Sequence, residues 1–304
     1  MHLPIETDIP ESFFEAEERE GYLVTAEMKT LWALEIDLLK QIEKICERHG
    51  IRWYASSGTV LGAVRHGGFI PWDDDIDLEM QREDYDRFAE IAREELKEPY
   101  FLQDYRTDPT ACHCHIQVRN SATTAILKGD LEKKFPFNQG VFVDIFPIDR
   151  ISESEKETEK MGKILLILKG RMYRLRDFYY GMGPGRSEGL AARIGRAMLR
   201  PVIKPILRLM QGAYRKVSMK YYRSGSTKIL NTSLPPLKTK RKLYEETYGD
   251  GVEIDFEYFK IKVPRDYEKY LGELYGDWRT PVRGGAYHSG MVFDAEKPYT
   301  EYIR

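Results

Sequence analysis

The run Asp75-Ile76-Asp77-Leu78-Glu79-Met80 sets an acid against an apolar side chain at a strict two-residue period. Successive side chains leave a β-strand on opposite faces, so this alternation predicts a strand over 75–80. Ile76, Leu78 and Met80 would then face a core, with Asp75 and Asp77 turned together toward solvent. Two carboxylates on one rigid face suit a hard divalent cation, Mg2+ or Mn2+. An isolated Asp-x-Asp is often only a solvated turn. Here an apolar counter-face runs through the acids, Gly58, Gly62, Gly67 and Gly68 break the chain upstream, and Pro71 and Trp72 lead in, a context that favours a metal site.

The elements around this strand can be read from periodicity. Met28, Leu31, Leu34, Leu38, Ile42 and Ile45 recur at helical spacing between Thr25, a good N-cap, and Gly50, a good stop, which predicts a helix over 25–49. A short strand follows at 51–55, then a Ser57-Gly58-Thr59 turn and a short helix over 60–66. Backbone N–H groups at such a helix start are a natural phosphate site. A helix over 83–97 and strands near 100–103, 113–119 and 123–127 come next. In Gly140-Val-Phe-Val-Asp-Ile-Phe-Pro147 the lone acid, Asp144, is costly to bury without a partner. A cation shared with Asp75 and Asp77 would be one.

Composition narrows the class. With 304 residues, 42% of them hydrophobic and 12% aromatic, the chain can bury a large core. No apolar run approaches the roughly eighteen residues of a membrane span, and the acidic N-terminus lacks a leader pattern. Three cysteines, Cys46, Cys112 and Cys114, point to a reducing compartment, so a cytoplasmic location is expected. Zinc is disfavoured at Cys112-His113-Cys114-His115, because alternation on a strand would send the sulfurs one way and the imidazoles the other.

Net charge is only −2, yet residues 160–228 carry seventeen Lys and Arg against two acids, Asp177 and Glu188. Most of this block reads as helices over 153–180 and 189–223, broken at Gly181–Gly185 and by Pro201 and Pro205. A linker follows at 224–240. Apolar residues opposite the charges suit helices lying on an anionic membrane surface, at the inner face of the cell membrane. Nucleic acid, and a merely solvated face, are the competing readings. The chain therefore divides into an N-terminal arm (1–22), a mixed α/β core (23–150), a basic helical region (151–230) and a C-terminal segment packing on the core (231–304).

Gly58-Thr-Val-Leu-Gly-Ala-Val-Arg-His66, followed by Gly68-Phe-Ile-Pro-Trp-Asp-Asp-Asp-Ile-Asp77, resembles the signature of the LicD family of phosphotransferases, which includes the fukutin-type proteins. The likeness extends through Cys46–Ile51, Gly140–Pro147, Val263–Tyr267, Tyr270-Leu271, Tyr275–Asp277, Arg283 and His288. It implies an α/β nucleotidyltransferase-like mixed sheet flanked by helices, the basic helices being an elaboration. It also implies transfer of a substituted phosphate, such as phosphocholine from CDP-choline, to a hydroxyl of a cell-surface glycan, a teichoic acid or a lipid-linked precursor. Asp75, Asp77 and Asp144 would be catalytic and would hold the metal, Asp144 being also the first candidate for the base. Gly58 and Thr59 would lie against the phosphates, Arg65 would brace them, and His66, Trp72, Arg283 and His288 would contact substrate. A choline donor would call for an aromatic cage, from Trp72, Tyr54, Phe69, Tyr287 and Tyr299. Other phospho-alditol or phospho-sugar donors, nucleotidyl transfer to protein or RNA, and a noncatalytic basic adaptor are the alternatives.

Overall fold

The structure, a computed structural model, describes residues 3–182, 190–282 and 290–303, with only the backbone of 190–193 and 196. Its strands are β1 (Glu17–Arg19), β2 (Tyr22–Val24), β3 (Tyr54–Ala55), β4 (Asp77–Gln81), β5 (Tyr100–Gln103), β6 (Ile116–Asn120), β7 (Thr124–Ile126), β8 (Val141–Arg150), β9 (Ile229–Asn231), β10 (Val252–Phe256), β11 (Phe259–Val263) and β12 (Val292–Asp294). The helices are α1 (Ala26–His49), α2 (Ser57–His66), α3 (Arg82–Glu95), α4 (Lys128–Leu131), α5 (Glu155–Tyr180), α6 (Leu190–Ser218), α7 (Glu245–Tyr248) and α8 (Tyr267–Tyr275).

The centre is a mixed six-stranded sheet in the order β3-β4-β8-β6-β5, with β9 taking up the end of β8 beyond β6. Only β4 and β8 run parallel; the other pairings are antiparallel. Ile76, Leu78 and Met80 are buried, as their spacing predicts. The strand, however, starts at Asp77, leaving Asp75 just before it, and the acid face is only partly open: Asp75 and Asp77 are half-buried and Glu79 is buried. The C-terminal elements close over this side of β4, because Tyr248 of α7 and Tyr270 of α8 are buried against the same core.

Thr25 caps α1 by accepting the Met28 N–H at 3.2 Å, and Gly50 ends it in the left-handed region at φ 60°. The expected apolar stripe is buried apart from the half-buried Met28, and so is almost everything between Lys29 and Leu39. The reason is the arm, which supplies Leu3, Ile9 and Phe13 to the core and whose Glu6 and Thr7 N–H groups bond Asp37 Oδ1 at 3.0 and 2.9 Å. α1 is thus sandwiched between arm and sheet. Helices α5 and α6 share a second apolar cluster, with Met161, Leu165, Met172, Ile203, Leu207 and Tyr214 at its centre. The stretch read as a linker, 224–240, contains β9, whose backbone completes the β8 edge.

Two buried polar knots join these parts. Arg82, at the start of α3, makes a bidentate pair with Asp149 of β8 at 2.7 Å on each arm, and Thr232 donates to the same carboxylate. Glu79 accepts from Ser56 Oγ at 3.3 Å, and the Tyr270 hydroxyl accepts the Ser57 N–H at 3.0 Å. Burial pushes the Glu79 carboxyl up to about 7, the hydroxyls of Tyr270, Tyr248 and Ser56 holding it back.

Removing one partner of a buried pair strands the other charge, so Asp149→Ala should lose about 3–5 kcal/mol of stability in urea denaturation. Between its ordinary value of 4.5 and about 7, folded Glu79 keeps a proton that the unfolded chain has released. Stability therefore falls as pH rises through that window. Denaturation of Glu79→Gln at both ends of the window should show that slope reduced.

Candidate active site

β4 and β8 pair in register with Asp77 directly beside Asp144. Both strands are locked at this point. The Asp77 N–H is bonded by Thr59 Oγ1 at 2.9 Å, its carbonyl accepts from Ser56 N at 2.8 Å, and Asp144 N reaches the Ile76 carbonyl at 3.3 Å. The two carboxylates face a cleft of about 520 Å³ that Asp73, Asp75, Ser57 and Gly58 also line. The carboxylate oxygens of Asp73, Asp74 and Asp75 approach within 4.8 Å of one another, Asp74 being buried while its neighbours reach the cleft. Trp32 holds this turn from below, donating Nε1 to the Asp73 carbonyl at 3.0 Å while stacking on Phe69 at 4.4 Å.

Crowding of like charges is the dominant electrostatic fact. Burial, followed by the charges of Asp75, Asp144 and Asp73, raises the Asp77 carboxyl well above the carboxylate range. Asp144 goes the other way: burial would raise it, but His115 and Gln117 hold it at about 2. His115 Nε2 lies 3.1 Å from Asp144 Oδ1, out of line for a hydrogen bond, so that this buried oxygen has no hydrogen-bond donor. A wall of carboxylates with an unsatisfied buried oxygen fits a hard divalent cation. Asp73, Asp75, Asp77 and Asp144 are the residues that could hold one.

Of the residues expected to contact substrate, Gly58 lines the cleft, whereas the described Thr59, Arg65, His66 and Trp72 do not. α2 begins at Ser57 instead of residue 60, and Ser57 adopts φ 47°, a strained value for a residue with a side chain. A Cβ on Gly58 would come within 2.8 Å of Asp73 Oδ2, so the cleft needs glycine there. Thr59 is buried and acts on Asp77 from behind. Arg65 and His66 sit about 10 Å farther along α2. Arg65 donates to the Trp278 carbonyl and to His66 at 3.0 Å each, and His66 lies 3.1 Å from Glu20. Trp72 packs edge-on to Tyr22 and His66. Arg283 and His288 lie outside the described residues, as does Tyr287 of the aromatic set. Tyr54 is buried and donates to the Gly249 carbonyl, and Tyr299 does not line the cleft.

The cleft has further members outside the expected substrate contacts. His113 and His115 line it from 112–115, which is not a strand as expected but an irregular segment that starts with Cys112 at φ 61°. Burial pushes the Cys112 and Cys114 thiols up to about 12 and about 11, which keeps them protonated at neutral pH. Arg119 is buried among neutral acceptors, Gln103, Gln117 and the Gly140 carbonyl, at 2.6–2.7 Å. With Lys169 of α5 it supplies positive charge to the lining. Beneath the acidic turn, buried Glu35 of α1 is raised far above the carboxylate range by burial and by Asp75, Asp74 and Asp73. Its spacing within α1 offered no signal, since it sits among core leucines. The aromatic lining consists of Phe137, Phe142, Phe146, Tyr173 and Tyr275.

Residues 50–164 match the family description LicD/FKTN/FKRP, nucleotidyltransferase domain. The lipopolysaccharide cholinephosphotransferase LicD of Haemophilus influenzae is 28% identical over 252 residues, covering 80% of this chain and 88% of that protein. The human and mouse ribitol 5-phosphate transferases FKRP are each 48% identical over 40 residues, only 13% of this chain and 8% of theirs. The matched segment contains Gly58, the acidic turn, Asp77 and Asp144, all found at one cleft. The likeness to the LicD/FKTN/FKRP family thus centres on residues 50–164, the stretch that carries the acids of the cleft.

Proposed function

We propose that the protein is a divalent-metal-dependent phosphotransferase that moves a substituted phosphate from a CDP-linked donor to a glycan hydroxyl, releasing CMP. The observation that carries this reading is the placement of Asp77 and Asp144 abreast at a cleft that also holds Asp73, Asp75 and the start of α2. Phosphocholine is the first donor group to test, supported by the length of the match to the Haemophilus enzyme. A ribitol-type phospho-alditol is the second reading, favoured by the short, denser match to FKRP. The acceptor would be a cell-surface or lipid-linked glycan, and the three free cysteines suit work on the cytoplasmic side of the membrane.

Mg2+ or Mn2+, held by Asp73, Asp75 and Asp77 with Asp144 completing the acidic wall, would neutralise phosphate charge. The chain's own groups do the rest. Ser57 and Gly58, at the start of α2, line the cleft next to the acids, where a helix N-terminus favours a phosphate. Arg119 and Lys169 oppose the negative charge of the donor. Asp144, held near 2, remains ionised and is a poor proton acceptor. His115, whose Nε2 lies 3.1 Å from Asp144 Oδ1, is the group we assign to take the proton of the acceptor hydroxyl, imidazole being the commonest general base. Transfer then breaks the bond between the donor phosphate and CMP and forms a phosphodiester with the acceptor oxygen.

Incubation with Mg2+ and a panel of CDP-alcohols should release CMP, most rapidly from CDP-choline; no release from any donor would overturn the proposal. Asp77→Asn should cut turnover by about 100-fold or more, as chelation of the metal should, with the fold retained by circular dichroism. His115→Gln should lower kcat by about 100-fold while leaving KM nearly unchanged, with native circular dichroism.

A further inference from the structure

We infer that the α5–α6 hairpin is a docking face for an anionic membrane surface. The two helices bury one side against each other and the core, and their outer sides are not the polar sides of an ordinary surface helix. On α5 the residues Lys160, Ile164, Ile167, Arg171, Arg174 and Phe178 recur every three or four positions, so they share one face, and Ile167 is 53% exposed. On α6 the row Met198, Val202, Pro205 and Leu209 is exposed, Met198 at 75% and Leu209 at 74%. Arg200, Lys204 and Arg208 run alongside this row, one per turn. Large apolar side chains this exposed, set among cations, ask to be covered.

Charge decides what covers them. Between Lys160 and Ser218 the sequence has only two acids, Asp177 and Glu188, and Asp177 is tied to Arg176 at 3.0 Å. A second copy of the same face would set cation against cation. Nucleic acid would match the charge but would gain nothing from Met198, Leu209 and Ile167 in water. An anionic leaflet satisfies both, apolar rows entering the acyl boundary while Lys and Arg reach the headgroups. Among the described residues no helix is long and apolar enough to cross a membrane, so this face lies on the surface.

The docking face is continuous with the cleft. α5 turns Lys169 and Tyr173 into the cleft lining, and the exposed Leu127 and Leu234 belong to that same lining. A hairpin resting on lipid would therefore hold an apolar-walled opening beside the leaflet, where a lipid-borne acceptor presents its hydroxyl. That purpose rests on the transferase reading; the binding itself does not.

The full chain should sediment with vesicles containing equal parts phosphatidylcholine and phosphatidylglycerol, stay in solution with phosphatidylcholine alone, and be released by added salt. Met198→Asp with Leu209→Asp, and separately Arg171→Glu with Arg174→Glu, should each lower partitioning at least about ten-fold. CMP release from a soluble donor should be unchanged in both, with native circular dichroism. Absence of binding to anionic vesicles, or binding untouched by both pairs of substitutions, overturns the inference. So does a dimer in solution that Met198→Asp dissociates, which would assign the face to a second copy. Vesicle binding without CMP release from any donor would sink the transferase reading alone.

Discussion

Asp77 and Asp144 are neighbours across the one parallel strand pair of the central sheet, and much of the surrounding structure exists to keep two like charges there. Two partly buried carboxylates side by side repel each other and lose hydration, a cost that no apolar packing relieves. The chain meets it locally. Thr59 and Ser56 grip the Asp77 backbone, His115 and Gln117 face Asp144, and Trp32 of the central helix ties down the acidic turn. Glu35 beneath the turn adds no charge so long as it stays protonated, which its raised carboxyl favours. The remaining excess of negative charge is what a cation would neutralise.

The same economy links site and periphery. The residues that enter the cleft from α5, Lys169 and Tyr173, lie on a helix whose other side is the exposed basic and apolar face. A helix can serve two environments in this way because its side chains leave about 100° apart. Lys169, which lines the cleft, also donates to the Ser233 carbonyl at 3.0 Å and so ties α5 to the segment after β9.

Much of the fold was legible from local pattern. The caps of α1, the buried Ile76, Leu78 and Met80, the apolar run carrying Asp144 and the long basic helices all follow from periodicity and from Gly, Thr and Asp chemistry. Misreadings came where distant segments intervene. Glu79 repeats the alternation of Asp75 and Asp77 but is buried, because Tyr248 and Tyr270, well over a hundred residues later, close over it. Arg65, His66 and Trp72 sit close to Gly58 in sequence, yet the rise of α2 carries Arg65 and His66 toward Trp278 and Glu20 instead of the cleft. The Cys112–His115 segment stood out only as a zinc question, and nothing local told that His115 would lie 3.1 Å from Asp144.

By itself the sequence determined that acids stand against an apolar face beside a glycine-rich helix start, and that a second run holds one acid among core residues. Those are statements about period and backbone freedom, which act within a few residues. Only the tertiary structure decided that the two runs lie in register, that Asp73 and His115 join them, and that Arg65, His66 and Trp72 do not. Strand pairing and helix rise are set by the packing of the whole core, and no local pattern encodes which distant atoms that packing brings within 3 Å.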